Sequence, residues 1–519
     1  MNLLRVAIFA TLIALNQTSP ALADDITLKS SDGAVEISGT LLGFDGEFYR
    51  VQTKFGELTV DSSGVLCEGP ACPSLTDYVA EVSISGSATM GKVLLPALIE
   101  AFALRNGYSV QRITGSQTHF DYLLAEGGSG RDLAVFTFNI SNTDQGFGDL
   151  LAGQADIVMA MREIRKGEAK QAYDAGLGDL EHHNRSRVIA LDALVPVVSP
   201  GNPVQSISSA ELAQVFAGKV SNWQDLGGSD APIALHLLTE QSGLAQAVED
   251  QLMGPANLTL AKGARRHDNS LTLIHSVLSD PFAIGIAAFS ETGNSQVLTL
   301  AGSCGFSLRA ARRTVKTEDY PLTAPMFLYL PARRLPKVAR DFLTYTRSPS
   351  AQIVIRRAGF VDQAPEAVSI NAQGDRFANA ISISGEEVPL EELKRLVVRL
   401  APMKRLTTTF RFEAGSARLD AQSRSNVQQL ARALEAGTYD ARKLVFVGFS
   451  DGNGAAEGNR KIGLKRAETV RDAVMRAAET ANADRLTIEI ESFGEALPMA
   501  CDDSAWGRQA NRRVEVWIQ

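Results

Sequence analysis

Residues 448–467 read GFSDGNGAAEGNRKIGLKRA and lie between an apolar segment and a segment with helical periodicity. The preceding residues 443–447 (KLVFV) are apolar and β-branched, which predicts a buried strand. From Asn459 onward, small and apolar residues recur every three or four positions, which predicts a helix with one buried face. Asp451 therefore follows directly on the strand, and Arg466 lies about two turns into the helix.

The loop between this strand and this helix brings a carboxylate and a guanidinium to one surface. Two opposite charges that lie close together without pairing to each other suit a zwitterionic ligand. Asp451 accepts from the ammonium of that ligand, and Arg466 binds its carboxylate through the forked guanidinium. The alternative is that Asp451 only stabilises a turn and that Arg466 is a solvated helix charge.

The wider C-terminal stretch, residues 405–519, resembles the OmpA-like C-terminal domain, which is a βαβαβ sandwich. The residues that carry the resemblance are 448–451 (GFSD), Asn459, 462–467 (IGLKRA), 493–495 (FGE), 507–508 (GR), 511–515 (NRRVE), 410–412 (FRF) and 416–419 (SARL). The chain departs from the family pattern at Phe449, Ser450 and Gly463, where the family usually has His, Thr and Ser. None of these departures removes the charged pair.

This resemblance implies a partner and a site. The family binds peptidoglycan non-covalently by gripping the diaminopimelate of the stem peptide. Carried over to this chain, Asp451 and Arg466 form the grip, and Asn459 and Arg513 support it.

The middle region, residues 77–363, contains two strand–turn–helix junctions rich in hydroxyl groups. A strand over residues 80–84 leads into Ser87, Ala88 and Thr89 and then a helix, and a second strand leads into Ser141. Backbone N–H groups and the positive end of a helix dipole make such a turn a cradle for an anion. The alternative is ordinary helix capping by Ser and Thr.

Further motifs make the middle region similar to the PstS-type periplasmic phosphate-binding proteins. They are residues 153–162 (GQADIVMAMR), 191–203 (LDALVPVVSPGNP), 216–223 (FAGKVSNW), 283–286 (AIGI) and 320–323 (YPLT). The resemblance implies a two-lobed periplasmic-binding-protein fold of type II, with the ligand in the cleft between two α/β lobes.

The sequence is compatible with more than one ligand state of this cleft. The implied oxyanion contacts are Ser87, Ala88, Thr89, Ser141, Arg162, Ser242 and Gly243. In the turn that carries Ser242, however, Leu238 and Leu244 stand where the family often has Arg and Thr, and Glu240 would repel an anion if it faced the cleft. Phosphate or a similar oxyanion, an altered ligand and an empty structural cleft are all compatible with this pattern.

The N-terminal part, residues 24–75, alternates apolar and polar residues in short runs that are separated by glycine-containing turns. This pattern predicts a small barrel-like β module, either an antiparallel barrel or a sheet. Its expected role is packing or interaction, with another envelope protein as a candidate partner. Cys67 and Cys72 enclose a short loop and are expected to form a disulfide in an exported protein. Cys304 and Cys501 fall in different predicted domains, and our interpretation favours two unpaired thiols.

Residues 1–23 predict a secretory signal peptide, since a basic Arg5 precedes an apolar run that ends in small residues. That run is too short to span a bilayer, and no other long apolar run follows, so no membrane-spanning segment is expected. The mature protein is expected in the periplasm, associated with the wall; a peripheral association with the outer membrane is one form of this location.

Composition excludes several function classes. The net charge of −8 and the lack of basic runs argue against nucleic-acid binding. The six histidines show no metal-binding spacing, and no nucleophile motif or cofactor motif is present. The sequence therefore predicts a non-enzymatic binding protein without metal or cofactor. A structural scaffold whose cleft has lost its ligand and a wall-targeted enzyme are the alternatives.

Residues 364–404 are expected to form a structured connector between the two recognised regions. Residues 378–384 (ANAISIS) predict a strand, and a helix with acidic residues in its first turn is predicted to end at Leu400. The predicted architecture is thus multi-domain, with α/β and α+β parts.

Overall fold

A computed structural model describes residues 25–519 except 303, 383, 386, 414 and 415. The predicted signal peptide, residues 1–23, lies outside the described residues. The chain divides into two compact units, Met1–Ala80 and Glu81–Gln519. Among the described helices, none combines the length and the apolarity that crossing a membrane requires.

The secondary-structure elements are numbered in chain order. The strands are β1 (Ile26–Ser30), β2 (Glu36–Phe44), β3 (Phe48–Thr53), β4 (Gly56–Asp61), β5 (Val65–Glu68), β6 (Ala80–Ser87), β7 (Tyr108–Thr114), β8 (His119–Glu126), β9 (Asp132–Ser141), β10 (Ile157–Ala160), β11 (Ser186–Val198), β12 (Ser206–Ile207), β13 (Ala234–Leu238), β14 (Arg265–His267), β15 (Ala283–Ala288), β16 (Gln296–Val297), β17 (Thr299–Ala301), β18 (Ser307–Leu308), β19 (Thr323–Tyr329), β20 (Ala367–Ser369), β21 (Lys404–Arg411), β22 (Lys443–Phe449), β23 (Thr487–Gly494) and β24 (Arg513–Ile518). The helices are α1 (Leu95–Arg105), α2 (Thr143–Leu151), α3 (Lys166–Asp174), α4 (Ser209–Phe216), α5 (Gly243–Val248), α6 (Gly254–Ala256), α7 (Ser270–Ser279), α8 (Arg312–Lys316), α9 (Lys337–Tyr345), α10 (Pro349–Arg357), α11 (Gly374–Ser382), α12 (Leu390–Leu400), α13 (Ala421–Glu435), α14 (Ala456–Ala477) and α15 (Ala505–Asn511).

The N-terminal unit is one antiparallel sheet in the order β4-β3-β2-β1-β5. Ile26, Leu28, Tyr49 and Val51 form its small core. The sheet keeps two edges, so the predicted barrel-like closure is wrong. Strand β4 buries none of its residues, and only Val60 packs against this core, so β4 offers little apolar surface to β5. The predicted Cys67–Cys72 disulfide is confirmed.

The first part of the second unit is a two-lobed α/β region, as predicted. Its sheet runs in the order β14-β13-β15-β11-β19-β10-β6-β9-β8-β7, with β16 paired to β11. We name the part built on β6–β10 lobe 1 and the part built on β12–β18 lobe 2. The long strand β11 is almost fully buried, since its run of Val, Ile, Leu and Ala has no solvated face. Together with β19 it connects the two lobes.

The C-terminal region is a second sheet in the order β20-β21-β24-β22-β23. Helices α13 and α14 cover one face, and α11 and α12 from the connector cover the other. The predicted connector strand over residues 378–384 is wrong, because residues 378–382 belong to α11. Phe377 and Ala380 are three positions apart, and both pack against the sheet, which is a helical and not an alternating pattern.

The C-terminal region is bonded to the two-lobed region. Cys304 and Cys501 form a disulfide, so the interpretation of two unpaired thiols is wrong. The two residues are 197 positions apart, and only the docking of the two regions brings them together. Buried Arg405 of β21 also forms a bidentate ion pair with Asp319, with N–O distances of 2.8 and 3.0 Å.

Candidate functional site

The predicted wall-binding loop follows β22, and helix α14 begins at Ala456, three residues before the expected start. Arg466 therefore lies roughly three turns into the helix. Asp451 is largely shielded, with 14% of its side chain exposed, and Arg466 is partly buried. The strand end and the helix thus place both side chains at one shallow surface.

Asp451 has a partner that the sequence analysis did not name. Arg512 donates from Nη1 to Asp451 Oδ2 at 2.7 Å, and from Nη2 to Gln509 Oε1 at 2.6 Å. The NRRVE segment contains two adjacent arginines: Arg512 follows the end of α15 and is partly exposed, whereas Arg513 begins β24 and is fully buried. The second arginine of this pair is the signal that could have identified Arg512 beside Arg513.

Arg466 has no carboxylate within ion-pair distance among the described residues. Its Nη1 donates to the Phe449 carbonyl at 3.3 Å, and its guanidinium lies 5.6 Å from the centre of the Phe412 ring. Burial lowers the pKa of Arg466, and the nearby Asp451 carboxylate partly offsets that effect. Asp451 and Arg466 are therefore neighbours that do not pair with each other.

Asn459 and Arg513 lie behind this surface. Asn459 is buried and donates from Nδ2 to Glu495 Oε2 at 3.1 Å, which holds the start of α14. Arg513 is fully buried; it donates to Glu515 at 2.7 Å and stacks on the Phe449 ring at 4.2 Å. Burial lowers the pKa of Arg513 to about 9. Both side chains can position the loop, but neither reaches the surface.

A further carboxylate fixes the loop itself. Asp502 accepts from the Gly452 amide at 2.7 Å and from Asn511 Nδ2 at 2.8 Å. Glu495 lies beside it, and burial raises the pKa of its carboxyl group. The backbone that carries Asp451 is thus held by side chains from the segment before β24.

The predicted oxyanion contacts lie at the ends of β6, β9 and β10 and at the start of α5, as in a cleft between lobes. Ser87 is buried, and its Oγ has no hydrogen-bond partner among the described residues. A Cβ added to Gly243 would lie 3.4 Å from that Oγ, an ordinary contact distance, so the start of α5 lies close to the end of β6.

The other hydroxyl groups of the cleft have local roles. Ser242 Oγ caps α5 by accepting from the Ala245 amide at 3.0 Å. Ser141 Oγ donates to the neighbouring Asn142 carbonyl at 3.4 Å, while Ala88 and Thr89 are partly exposed. Glu240 is mostly exposed and pairs with Arg266 at 3.5 Å.

Arg162 is enclosed by carboxylates. It is 6% exposed and pairs with Glu168 at 2.7 Å, with Asp250 at 3.5 Å and with Asp144. Asp144 and Glu168 belong to lobe 1 and Asp250 to lobe 2, so this arginine joins the lobes. Its positive charge is already compensated within the protein.

A cavity of ≈ 450 Å³ lies between the two-lobed region and the C-terminal region. Of the predicted oxyanion residues, Arg162 lines this cavity, together with Glu318, Arg411, Asp420 and Trp506. Burial raises the pKa of Glu318 to about 8 and also raises the pKa of Asp420. The docking of two domains creates this cavity, so no local sequence pattern indicates it.

Comparison with known families finds two matches along the chain. Residues 71–350 match the PBP superfamily domain, and residues 411–512 match the OmpA family. Among curated proteins, the chain is similar to protein SphX of Synechococcus elongatus, with 28% identity over 43% of this chain and 68% of that protein. It is also similar to the phosphate-binding protein PstS of Bacillus subtilis, with 26% identity over 56% of this chain and 84% of that protein.

Solved structures resemble both regions. An ABC-type phosphate transport receptor from Vibrio cholerae covers 54% of this chain and 99% of its own, with 18% identity and a TM-score of 0.42. The peptidoglycan-associated lipoprotein from Burkholderia pseudomallei covers 22% of this chain and 90% of its own, with 27% identity and a TM-score of 0.19.

Proposed function

The chain belongs to the PBP superfamily and carries a C-terminal OmpA family domain, and on this basis we propose that it is a wall-attached periplasmic binding protein. The C-terminal domain attaches non-covalently to peptidoglycan through the diaminopimelate of the stem peptide. The two-lobed domain is held at the wall by this attachment.

One observation carries the wall-binding proposal: Asp451 and Arg466 are neighbours that do not pair with each other. In the proposed complex, the ligand's carboxylate binds Arg466, whose guanidinium has no carboxylate partner among the described residues. The ligand's ammonium binds Asp451 through Oδ1, while Oδ2 keeps its bond to Arg512. Arg512 thus orients the acceptor and is not displaced by the ligand.

The solute of the two-lobed domain is the second part of the proposal. Relatives named as phosphate-binding proteins favour phosphate or a similar oxyanion. The carboxylates around Arg162 favour a scaffold whose cleft no longer takes a ligand. Calorimetry of the purified protein distinguishes them: saturable heat with phosphate, sulfate or molybdate supports the binder, and no heat with any of them supports the scaffold.

Co-sedimentation with purified sacculi tests the wall attachment. We expect Asp451→Asn and Arg466→Ala each to weaken binding by about tenfold or more, since a charged hydrogen bond contributes about 1.5–3 kcal/mol. Lys465→Ala is the matched control, because Lys465 is an exposed cation next to Arg466 in sequence. Equal sedimentation of all three variants and the unmodified protein would overturn the proposed site.

The same sacculi test the alternative of a wall-targeted enzyme. Release of muropeptides during incubation with the purified protein would support that alternative. Sacculi that remain intact while the protein sediments with them support a non-enzymatic role.

A further inference from the structure

A short segment, residues 500–513, contacts both the wall-binding loop and lobe 2. We propose that the Cys304–Cys501 disulfide and Asp502 are positioning residues for the wall-binding loop, so that opening this disulfide weakens wall binding. The inference rests on the proposed function. It adds that wall binding depends on the bond between the C-terminal region and lobe 2, which the binding of a ligand by Asp451 and Arg466 does not itself require.

Asp502 connects the segment to the loop. One of its carboxylate oxygens accepts from the Gly452 amide at 2.7 Å, directly after Asp451 in the chain. The other accepts from Asn511 Nδ2 at 2.8 Å. A Cβ added to Gly452 would lie 2.8 Å from this carboxylate, so the loop and Asp502 are in tight contact. A shift of Asp502 must therefore move the backbone next to Asp451.

The end of the same segment supplies the partner of Asp451. Buried Asn511 accepts from the amides of Met499 and Ala500 at 2.6 and 3.1 Å, which closes the segment into a compact turn. Arg512 follows immediately and donates to Asp451 at 2.7 Å. The orientation of Asp451 thus depends on the segment at two points, through Asp502 and through Arg512.

The disulfide anchors this segment to lobe 2. Cys501 is bonded to Cys304, and its Sγ also accepts from the Cys304 amide at 3.1 Å. Trp506, five residues further on, donates from its indole N–H to the Gln251 carbonyl of lobe 2 at 2.8 Å. A Cβ added to Gly507 would lie 1.7 Å from the Cys501 carbonyl oxygen, so Cys501 is clamped against α15.

Opening the bond is a balanced two-electron step. A dithiol reductant supplies two electrons and two protons, the Cys304–Cys501 bond becomes two thiols, and the reductant becomes a disulfide. Cys501 then keeps its place only through the contacts of α15. The adjacent Asp502 loses a covalent constraint on its position, and the loop that carries Asp451 becomes more mobile.

The test compares two disulfide-free variants of the full-length protein in co-sedimentation with sacculi. We expect Cys304→Ser/Cys501→Ser to bind about three- to tenfold more weakly than the unmodified protein. Cys67→Ser/Cys72→Ser removes the other disulfide, in the separate N-terminal unit, and is expected to bind normally. Equal binding by both variants would overturn the proposal.

A second set of variants keeps the disulfide. Asp502→Ala is expected to weaken binding to sacculi severalfold. Asp502→Asn keeps one acceptor oxygen, so its binding is expected to lie between that of Asp502→Ala and that of the unmodified protein. In an Asp451→Asn background, Asp502→Ala should cause no further loss, because Asp502 acts through Asp451. Independent, additive losses would show a role in general folding and would contradict a positioning role.

Hydrogen exchange separates this inference from the proposed function. The Gly452 amide is expected to exchange faster in Cys304→Ser/Cys501→Ser than in the unmodified protein. If the unmodified protein fails to sediment with sacculi, the proposed function is wrong while faster exchange still supports the positioning of the loop. Unchanged exchange at Gly452 would overturn the positioning itself.

Discussion

Arg466 in the C-terminal domain and Arg162 in the two-lobed domain are both partly or fully buried arginines at predicted anion sites, yet their surroundings differ. Arg162 is enclosed by Asp144, Glu168 and Asp250, whereas Arg466 has no carboxylate within ion-pair distance among the described residues. Removing a guanidinium that is already compensated leaves its carboxylates short of a cation, whereas a guanidinium that is not compensated can bind a ligand. The carboxylates around an arginine are therefore more informative about its role than the motif in which it occurs.

The largest expected effect is on the stability of the two-lobed domain. We expect Arg162→Ala to lower the free energy of unfolding by about 2–3 kcal/mol, because Glu168 loses its cation and Asp144 and Asp250 are left with Arg165 alone. This is below the usual cost for a fully buried pair, since Asp144 and Asp250 keep some contact with solvent. Chemical denaturation measures the change.

The matched control for Arg162→Ala is Arg165→Ala. Arg165 pairs with the same Asp144 and Asp250 but is 47% exposed, so its loss should cost less than about 1 kcal/mol. Similar losses of unfolding free energy in the two variants would show that the burial of Arg162 does not determine its contribution to stability. The comparison with Arg466 would then fail.

The next effect concerns the geometry of the Arg466 contact. We expect Arg466→Lys to bind sacculi severalfold more weakly than the unmodified protein, because lysine keeps the charge but cannot donate two parallel hydrogen bonds to a carboxylate. The loss should be smaller than for Arg466→Ala. Co-sedimentation at constant salt measures it, and full recovery by lysine would mean that Arg466 contributes only charge.

A variant that gains phosphate binding would also test the contrast between Arg162 and Arg466. Asp144→Asn/Asp250→Asn removes two of the carboxylates, which leaves Arg162 paired with Glu168 alone and Arg165 without these two partners. We expect phosphate affinity to rise about threefold or more, in line with one additional charge-assisted contact. Isothermal titration measures the rise, and Asp174→Asn, which removes an exposed carboxylate of α3, is the control. No gain would show that the carboxylates around Arg162 do not limit phosphate binding.

The smallest expected effect is the contribution of one histidine pair in lobe 2 to the pH dependence of stability. His236 Nδ1 and His267 Nε2 are 2.9 Å apart, and burial lowers the pKa of both side chains below 6.5. The folded state therefore resists protonation more than the unfolded state, and stability is lost as the pH falls below 6.5. We expect the unfolding midpoint to drop by about 2 °C between pH 7 and pH 5.5.

His236→Gln provides the check on this pH dependence, because it removes one member of the pair. Its unfolding midpoint should change less with pH than that of the unmodified protein. An equal pH dependence in both proteins would assign the effect to other groups.

Much of the architecture could be predicted from the sequence because it depends on local patterns. The largely apolar β11 has the pattern of a buried strand, and α14 has the period of an amphipathic helix. The family motifs predicted the two-lobed and C-terminal regions. The connector helix α11 was mistaken for a strand because its apolar residues fit either period over so short a run.

The remaining features depend on contacts between residues that are distant in the sequence. The Cys304–Cys501 bond spans 197 positions, and Asp250 reaches Arg162 from the other lobe. Neither contact leaves a local signal. Arg512 was recognisable in principle, since it is adjacent to Arg513 in the NRRVE segment, but the family motif alone does not distinguish two adjacent arginines.

Titration of the full-length protein with a stem peptide that ends in diaminopimelate would test the grip of Asp451 and Arg466. We expect the unmodified protein to bind this peptide saturably. Binding should be lost when the free amine of the diaminopimelate is acetylated, and it should be lost equally when Asp451→Asn is titrated with the unmodified peptide. Undiminished binding of the acetylated peptide, or no binding of the unmodified one, would contradict a zwitterion held between these two side chains.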